Sequence, residues 1–260
     1  MTLRIAFVGK GGAGKSSIAG TFARLLAQRG EPVLAVDSDP MPGLAYSLGL
    51  TVDDAPIPDD AVVERAEGAD GPRFRLRPGL TAAGAVEQYA VRGPDGVAFL
   101  QFGKLSGHVR DVWRSQVAFR QILADLPAGG WHVVGDLPGG TRQPFAGWGD
   151  YADTFVIVVE PSVKSMLSAR RLARLAAGAG APAVVAVANR VLEPGDAELV
   201  GRRTGLTVLG AVPYDPAVAD AERAGAAVID QAPDCAAVRA IELLVSRLVE
   251  ETADEARSRR

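Results

Sequence analysis

The chain has 260 residues, 48% of them hydrophobic, and a net charge of −3; that suits one α/β domain with a buried sheet and supplies no overall basic field for nucleic acid or acidic lipid. Its one cysteine, Cys235, excludes an internal disulfide or a cysteine-rich metal cluster within one chain and reads as a packing or surface residue. Met1-Thr2-Leu3-Arg4-Ile5 runs straight into a strand pattern with no room for a signal peptide, and no apolar run approaches the ~20 residues of a membrane span, so a soluble, cytoplasmic protein is expected.

Ile5 to Val8 reads as a short buried strand, and the spacing of Ile18, Phe22, Leu25 and Leu26 predicts a helix over Ser16 to Gln28. Between them, Gly9-Lys10-Gly11-Gly12-Ala13-Gly14-Lys15-Ser16 satisfies G-x-x-x-x-G-K-[ST] in the strand–helix setting that motif needs. Its glycines let backbone N–H groups turn inward around phosphate oxygens, and the following helix adds its positive N-terminal end. Lys15 is placed to reach the β- and γ-phosphates of a nucleotide, and Ser16 to ligate Mg²⁺. Lys10, inside the loop, is a second cation near phosphate or a solvated residue.

Pro32 to Val36 forms a second strand, ending in Asp37-Ser38-Asp39-Pro40. Carboxylates at the carboxyl end of a strand beside the phosphate loop face the ligand crevice of an open α/β sheet. One can hold Mg²⁺ through water and the other orient an attacking water; alternatively, one or both cap the next helix near Pro42. From Thr51 to Gly96 the sequence is rich in Pro, Gly and Asp, with short β-like pieces such as Phe74-Arg75-Leu76. It reads as an irregular insertion, extending to about residue 112, and as a candidate partner surface.

Trp131 to Gly135 is the next strand, delivering Asp136-Leu137-Pro138-Gly139-Gly140. Asp136 is a candidate Mg²⁺ carboxylate. Gly139 and Gly140 can bring N–H groups to a γ-phosphate and relax once it leaves. Phe155 to Val159 and Ala183 to Ala188 are apolar strands beside alanine-rich helices, Leu206 to Val212 is the last strand, and Ala236 to Glu250 a closing helix. Apolar strands without alternation, separated by helices, predict a mostly parallel twisted sheet with helices on both faces, a P-loop NTPase in one domain over residues 1–260. The fifth strand ends in Asn189-Arg190-Val191-Leu192, with no acid at the fourth position of an N-K-x-D guanine reader. That favours adenine, with Asn189 at the purine edge and Arg190, Pro213, Tyr214 and Asp215 flanking its face.

Lys10-Gly11-Gly12-Ala13-Gly14-Lys15-Ser16-Ser17 resembles the deviant Walker A motif, K-G-G-x-G-K-[ST]-[ST], of the ParA/MinD and nitrogenase-iron-protein group. The resemblance implies that Lys10 reaches the partner's ATP across a sandwich homodimer, that Asp39 positions the attacking water, and that Asp37 belongs to the metal shell. Val36 to Pro40, Ala45-Tyr46-Ser47-Leu48-Gly49, Val159-Glu160-Pro161-Ser162 and Val212 to Asp215 extend it over most of the chain, towards the carbon-monoxide-dehydrogenase maturation (nickel-insertion) ATPases. Metal-binding members of that family carry a C-x-C ahead of the helix before the second switch. Here Phe102 to Arg110 has no cysteine, and His108 reads as a surface or hydrogen-bonding residue.

The expected function is that of a Mg-ATP-dependent dimerising switch ATPase that regulates, loads or matures a client protein. The alternative, a ParA/MinD-type positioning ATPase on DNA or membrane, wants a basic surface or a C-terminal amphipathic helix. The mixed-charge end from Glu250 to Arg260 lacks such an apolar face. A ligase of the dethiobiotin-synthetase sort shares the fold, but a trans-acting Lys10 argues against it. A regulatory tyrosine kinase wants a terminal tyrosine cluster, and no tyrosine follows Tyr214.

Overall fold

A computed structural model of the chain describes residues 2–39, 43–51, 57–66, 73–101, 109–140, 145 and 147–258. The first half carries β1 (Arg4–Gly9), α1 (Lys15–Gln28), β2 (Val33–Asp37), α2 (Leu44–Ser47), β3 (Val62–Glu64), β4 (Phe74–Leu76), α3 (Ala82–Tyr89), β5 (Val91–Arg92), β6 (Ala98–Gln101) and α4 (Val109–Ala124). The second half carries β7 (His132–Asp136), β8 (Thr154–Val159), α5 (Val163–Gly178), β9 (Ala183–Val191), α6 (Asp196–Thr204), β10 (Val208–Pro213), α7 (Pro216–Ala224), α8 (Val228–Gln231) and α9 (Ala236–Ser258).

Eight strands form one sheet in the order β10-β9-β8-β1-β7-β2-β6-β5, parallel except for the edge pair β5–β6. Side chains alternate across each strand, so β1 serves both faces. Ile5 and Phe7 join the core with α1 and α9, while Ala6 and Val8 pack with α4 and α5. Phe7 meets Phe22 of α1 edge-on, with ring centroids 5.6 Å apart. The inner strands are apolar between their ends because a parallel sheet covered on both faces leaves them no solvent side.

The stretch expected to be irregular to about residue 112 is more ordered than its composition suggests. β3 and β4 pair as a short antiparallel ribbon, and β6 lies wholly buried beside β2 in parallel register. The excursion therefore returns to the sheet by Ala98. Four residues of Ala-Phe-Leu-Gln are too short for a periodicity signal, and it is pairing with β2 that makes them a strand. Residues 102–108, including His108, lie outside the described residues. Among the described residues no helix is long and apolar enough to cross a membrane.

His132 opens β7 as a buried side chain. Its Nδ1 accepts from Leu3 N–H at 3.1 Å, so the ring proton sits on Nε2, 3.2 Å from Glu31 Oε2. Burial pushes its pKa below the ordinary histidine value, against the pull of Glu31. Below about pH 6.5 the unfolded imidazole takes up a proton that the folded one resists, so this site loses stability as pH falls. Urea unfolding from about pH 7.5 to about pH 5.5 should therefore cost wild type more than His132→Gln, by no more than about 1 kcal/mol given the exposure of Glu31. Parallel slopes for the two proteins would remove this assignment.

Candidate functional site

Every strand end named by the sequence meets at one edge of the sheet. β1 ends at Gly9; its neighbour β7 ends at Asp136, and β2, on the far side of β7, ends at Asp37 in register with Asp136. Gly9 to Gly14 then turns into α1, whose N-cap Gly14 has φ 87°. Only glycine suits that position twice over, because a Cβ there would also lie 2.4 Å from Asn189 Nδ2. The loop leads Lys15 and Ser16 into the first turn of the helix.

Lys15 is buried, 8% exposed, which for an ammonium requires anionic company. That company is Asp136, whose Oδ2 accepts from Ser16 Oγ while its Oδ1 is buried without a hydrogen-bond partner. Burial pushes the Asp136 carboxyl up to about 6, although Lys15 and Ser16 pull it down. Asp37 is fully buried, and its carboxyl is raised well above the usual range by burial and then by the Asp136 charge. Its oxygens accept from Asp39 N–H at 2.9 Å and from Leu44 N–H, the first of α2, at 3.1 Å. The helix-capping alternative thus describes what Asp37 does here. A Cβ on Gly43 would lie 2.9 Å from Ser16 Oγ, so the start of α2 closes over the same spot.

These groups fit a divalent cation. A hydroxyl and a carboxylate converge, one carboxylate oxygen is left over, and two buried acids stand side by side, each raised above its ordinary range by burial. Among the described residues no group of three or more His, Cys, Asp or Glu side chains is arranged to hold a metal ion by itself. Mg²⁺ is commonly held by one or two carboxylates together with phosphate oxygens and water, which this arrangement leaves room for.

Gly139 comes back over the loop from β7. A Cβ there would stand 3.1 Å from Gly11 Cα and 3.7 Å from Lys15 Nζ, so a side chain would wedge into the Gly9–Gly14 loop. Gly140 has open space around its Cα. Lys10 is half-buried at the loop's entrance, and its amine makes no hydrogen bond or ion pair among the described residues. Asp39 follows Asp37 at the mouth, partly buried.

Beyond Gly14 and Ser17 a pocket opens, floored by Ile18, Val212 and Ile241 and edged by Asn189, Pro213 and Tyr214. The expected base-flanking set lines it, but three members are engaged elsewhere. Asp215 accepts from Ala217 N–H and Ala237 N–H, capping α7 and tying it to the start of α9. Arg190 donates from NH1 to Gly12 O at 3.0 Å and to Glu160 Oε1 at 2.6 Å, and Asn189 Nδ2 donates to Ala13 O at 2.7 Å. Sequence reasoning assigned no role to Glu160 or to Glu222, whose Oε1 accepts from Ser17 Oγ at 2.8 Å. Their partners are 30 and 205 positions away, and no local pattern marks them.

Residues 5–228 match the model of the CobQ/CobB/MinD/ParA nucleotide binding domain. An uncharacterised ATP-binding protein of Methanocaldococcus jannaschii is 32% identical over 234 residues, covering 86% of this chain and 90% of that protein. The carbon monoxide dehydrogenase accessory protein CooC of Rhodospirillum rubrum is 29% identical over 245 residues, 90% of this chain and 92% of that one. The septum site-determining protein MinD of Pyrococcus horikoshii, solved with Mg-ADP, superposes with a TM-score of 0.73 at 18% identity over 95% of this chain and 96% of its own.

Proposed function

We propose, from the premise that the chain belongs to the CobQ/CobB/MinD/ParA nucleotide-binding family, that it is a Mg-ATP-dependent switch ATPase of one domain that dimerises around nucleotide and acts on a client protein in the cytoplasm. The observation that carries this reading is the group of buried Lys15 and Asp136 with Ser16 bonded to the carboxylate, whose other oxygen is unpartnered, beside a glycine-rich loop. The likeness to an accessory protein of carbon monoxide dehydrogenase supports the client part.

In this reading Gly9 to Ser17 wraps the phosphates with backbone N–H groups, and Lys15 compensates β- and γ-phosphate charge. Ser16 and Asp136 would hold Mg²⁺ with Asp37 behind them, and the cation would supply neutralisation of phosphate charge. Asp39 orients the attacking water, and Gly139 and Gly140 register the γ-phosphate. Lys10, whose amine has no partner among the described residues, serves the nucleotide of a second copy. The pocket beyond Gly14 takes adenine between its apolar floor and Tyr214.

Two experiments test it. In competition binding, ATP is expected to displace labelled ATP well below the concentration at which GTP does; equal displacement would remove the adenine assignment. In sedimentation, Asp39→Ala is expected to bind ATP without hydrolysing it and to double its mass with ATP but not with ADP. Adding Lys10→Ala should abolish that doubling, since a charge-assisted contact of roughly 1.5–3 kcal/mol per site is lost twice. Equal mass in both nucleotides would sink the switch, and doubling that survives Lys10→Ala would leave Lys10 a local cation.

A further inference from the structure

Consecutive side chains of an extended strand point to opposite faces, so residues 189 and 190 would ordinarily serve different sides of β9. Arg190 instead has φ 55°, a left-handed conformation that a non-glycine residue keeps only where its surroundings over-determine it. At the same place the register of β9 against β10 slips. Alternation is broken, and both side chains reach one loop, Asn189 at the Ala13 carbonyl and Arg190 at the Gly12 carbonyl. Glu160, just past the end of β8, accepts at 2.6 Å from the same Arg190 Nη1 that donates to Gly12.

A loop that aims its N–H groups at an anion turns carbonyls outward, and outward carbonyls need donors of their own. Gly12 and Ala13 are two such carbonyls in succession, and each has one. We infer that Glu160, Arg190 and Asn189 are positioning residues that hold the phosphate loop in its anion-binding shape before a ligand arrives. Arg190 then governs affinity for the polyphosphate and not for the base, which replaces the base-flanking role that its sequence position suggests. The inference rests on the phosphate-loop reading of Gly9 to Ser16.

The consequence is a loss of affinity that ignores the base. Calorimetric titration of wild type, Arg190→Ala and Glu160→Gln with Mg-ATP and with Mg-tripolyphosphate reads it directly. Arg190→Ala is expected to weaken both ligands by the same factor, about tenfold or more. Glu160→Gln should weaken both by a smaller common factor, and that effect should vanish in the Arg190→Ala background, because the two act as one unit. A drop for Mg-ATP with unchanged Mg-tripolyphosphate binding would return Arg190 to the base and overturn the inference, as would unchanged affinity for both. Should Arg190→Ala unfold before titration, Glu160→Gln decides by the same comparison. Wild type that binds neither ligand would instead bring down the phosphate-loop reading itself.

Discussion

Lys15→Ala is expected to lower Mg-ATP affinity at least about a hundredfold, the equivalent of roughly 3–5 kcal/mol for removing one partner of a buried charge pair. Lys15 is 8% exposed and stands within the field of Asp136, so alanine removes the one buried cation that faces the phosphates from the first turn of α1. The variant should fold, because the Asp136 carboxyl, already raised to about 6, can take up a proton once its cation is gone. Calorimetry with Mg-ATP checks the binding, and circular dichroism checks the fold. Affinity within about threefold of wild type would show that the loop does not hold polyphosphate through this lysine.

Arg24→Ala is expected to cost about 2–4 kcal/mol of folding stability, read as a shift in the urea midpoint. Arg24 lies in α1, 4% exposed, and its guanidinium serves Asp95, Asp230 and the carbonyl of Leu48 at once. It thereby ties α1 to the 94–96 turn, to α8 and to the end of α2. Asp95 and Asp230 are 24% and 48% exposed, so water recovers part of their solvation and the cost stays below that of a fully buried pair. Asp230→Asn, at the more exposed end, should cost under about 1 kcal/mol. Equal losses for the two variants would mean that the network is no more than a surface ion pair.

The phosphate loop was legible from Gly9 to Ser16 because its demands are local. Inward N–H groups need glycines, the anion needs a helix N-terminus, and both requirements fall within eight consecutive residues. The strands ending at Asp37 and Asp136 were legible for a similar reason, since apolar runs closed by an acid mark the ligand edge of a parallel sheet. β6 was not, because four residues carry no period and only the partner strand β2 defines them. Nor were the true engagements of Asn189, Arg190, Glu160 and Asp215. The sequence put the first two and Asp215 around the base on strand position alone, whereas their hydrogen bonds depend on one left-handed residue and on contacts up to 178 positions apart. Local backbone rules determined the turn from Gly9 to Gly14 and the helix start at Lys15. Which side chains hold the loop in shape was decided by packing between β8, β9 and β1, which no single stretch of chain encodes.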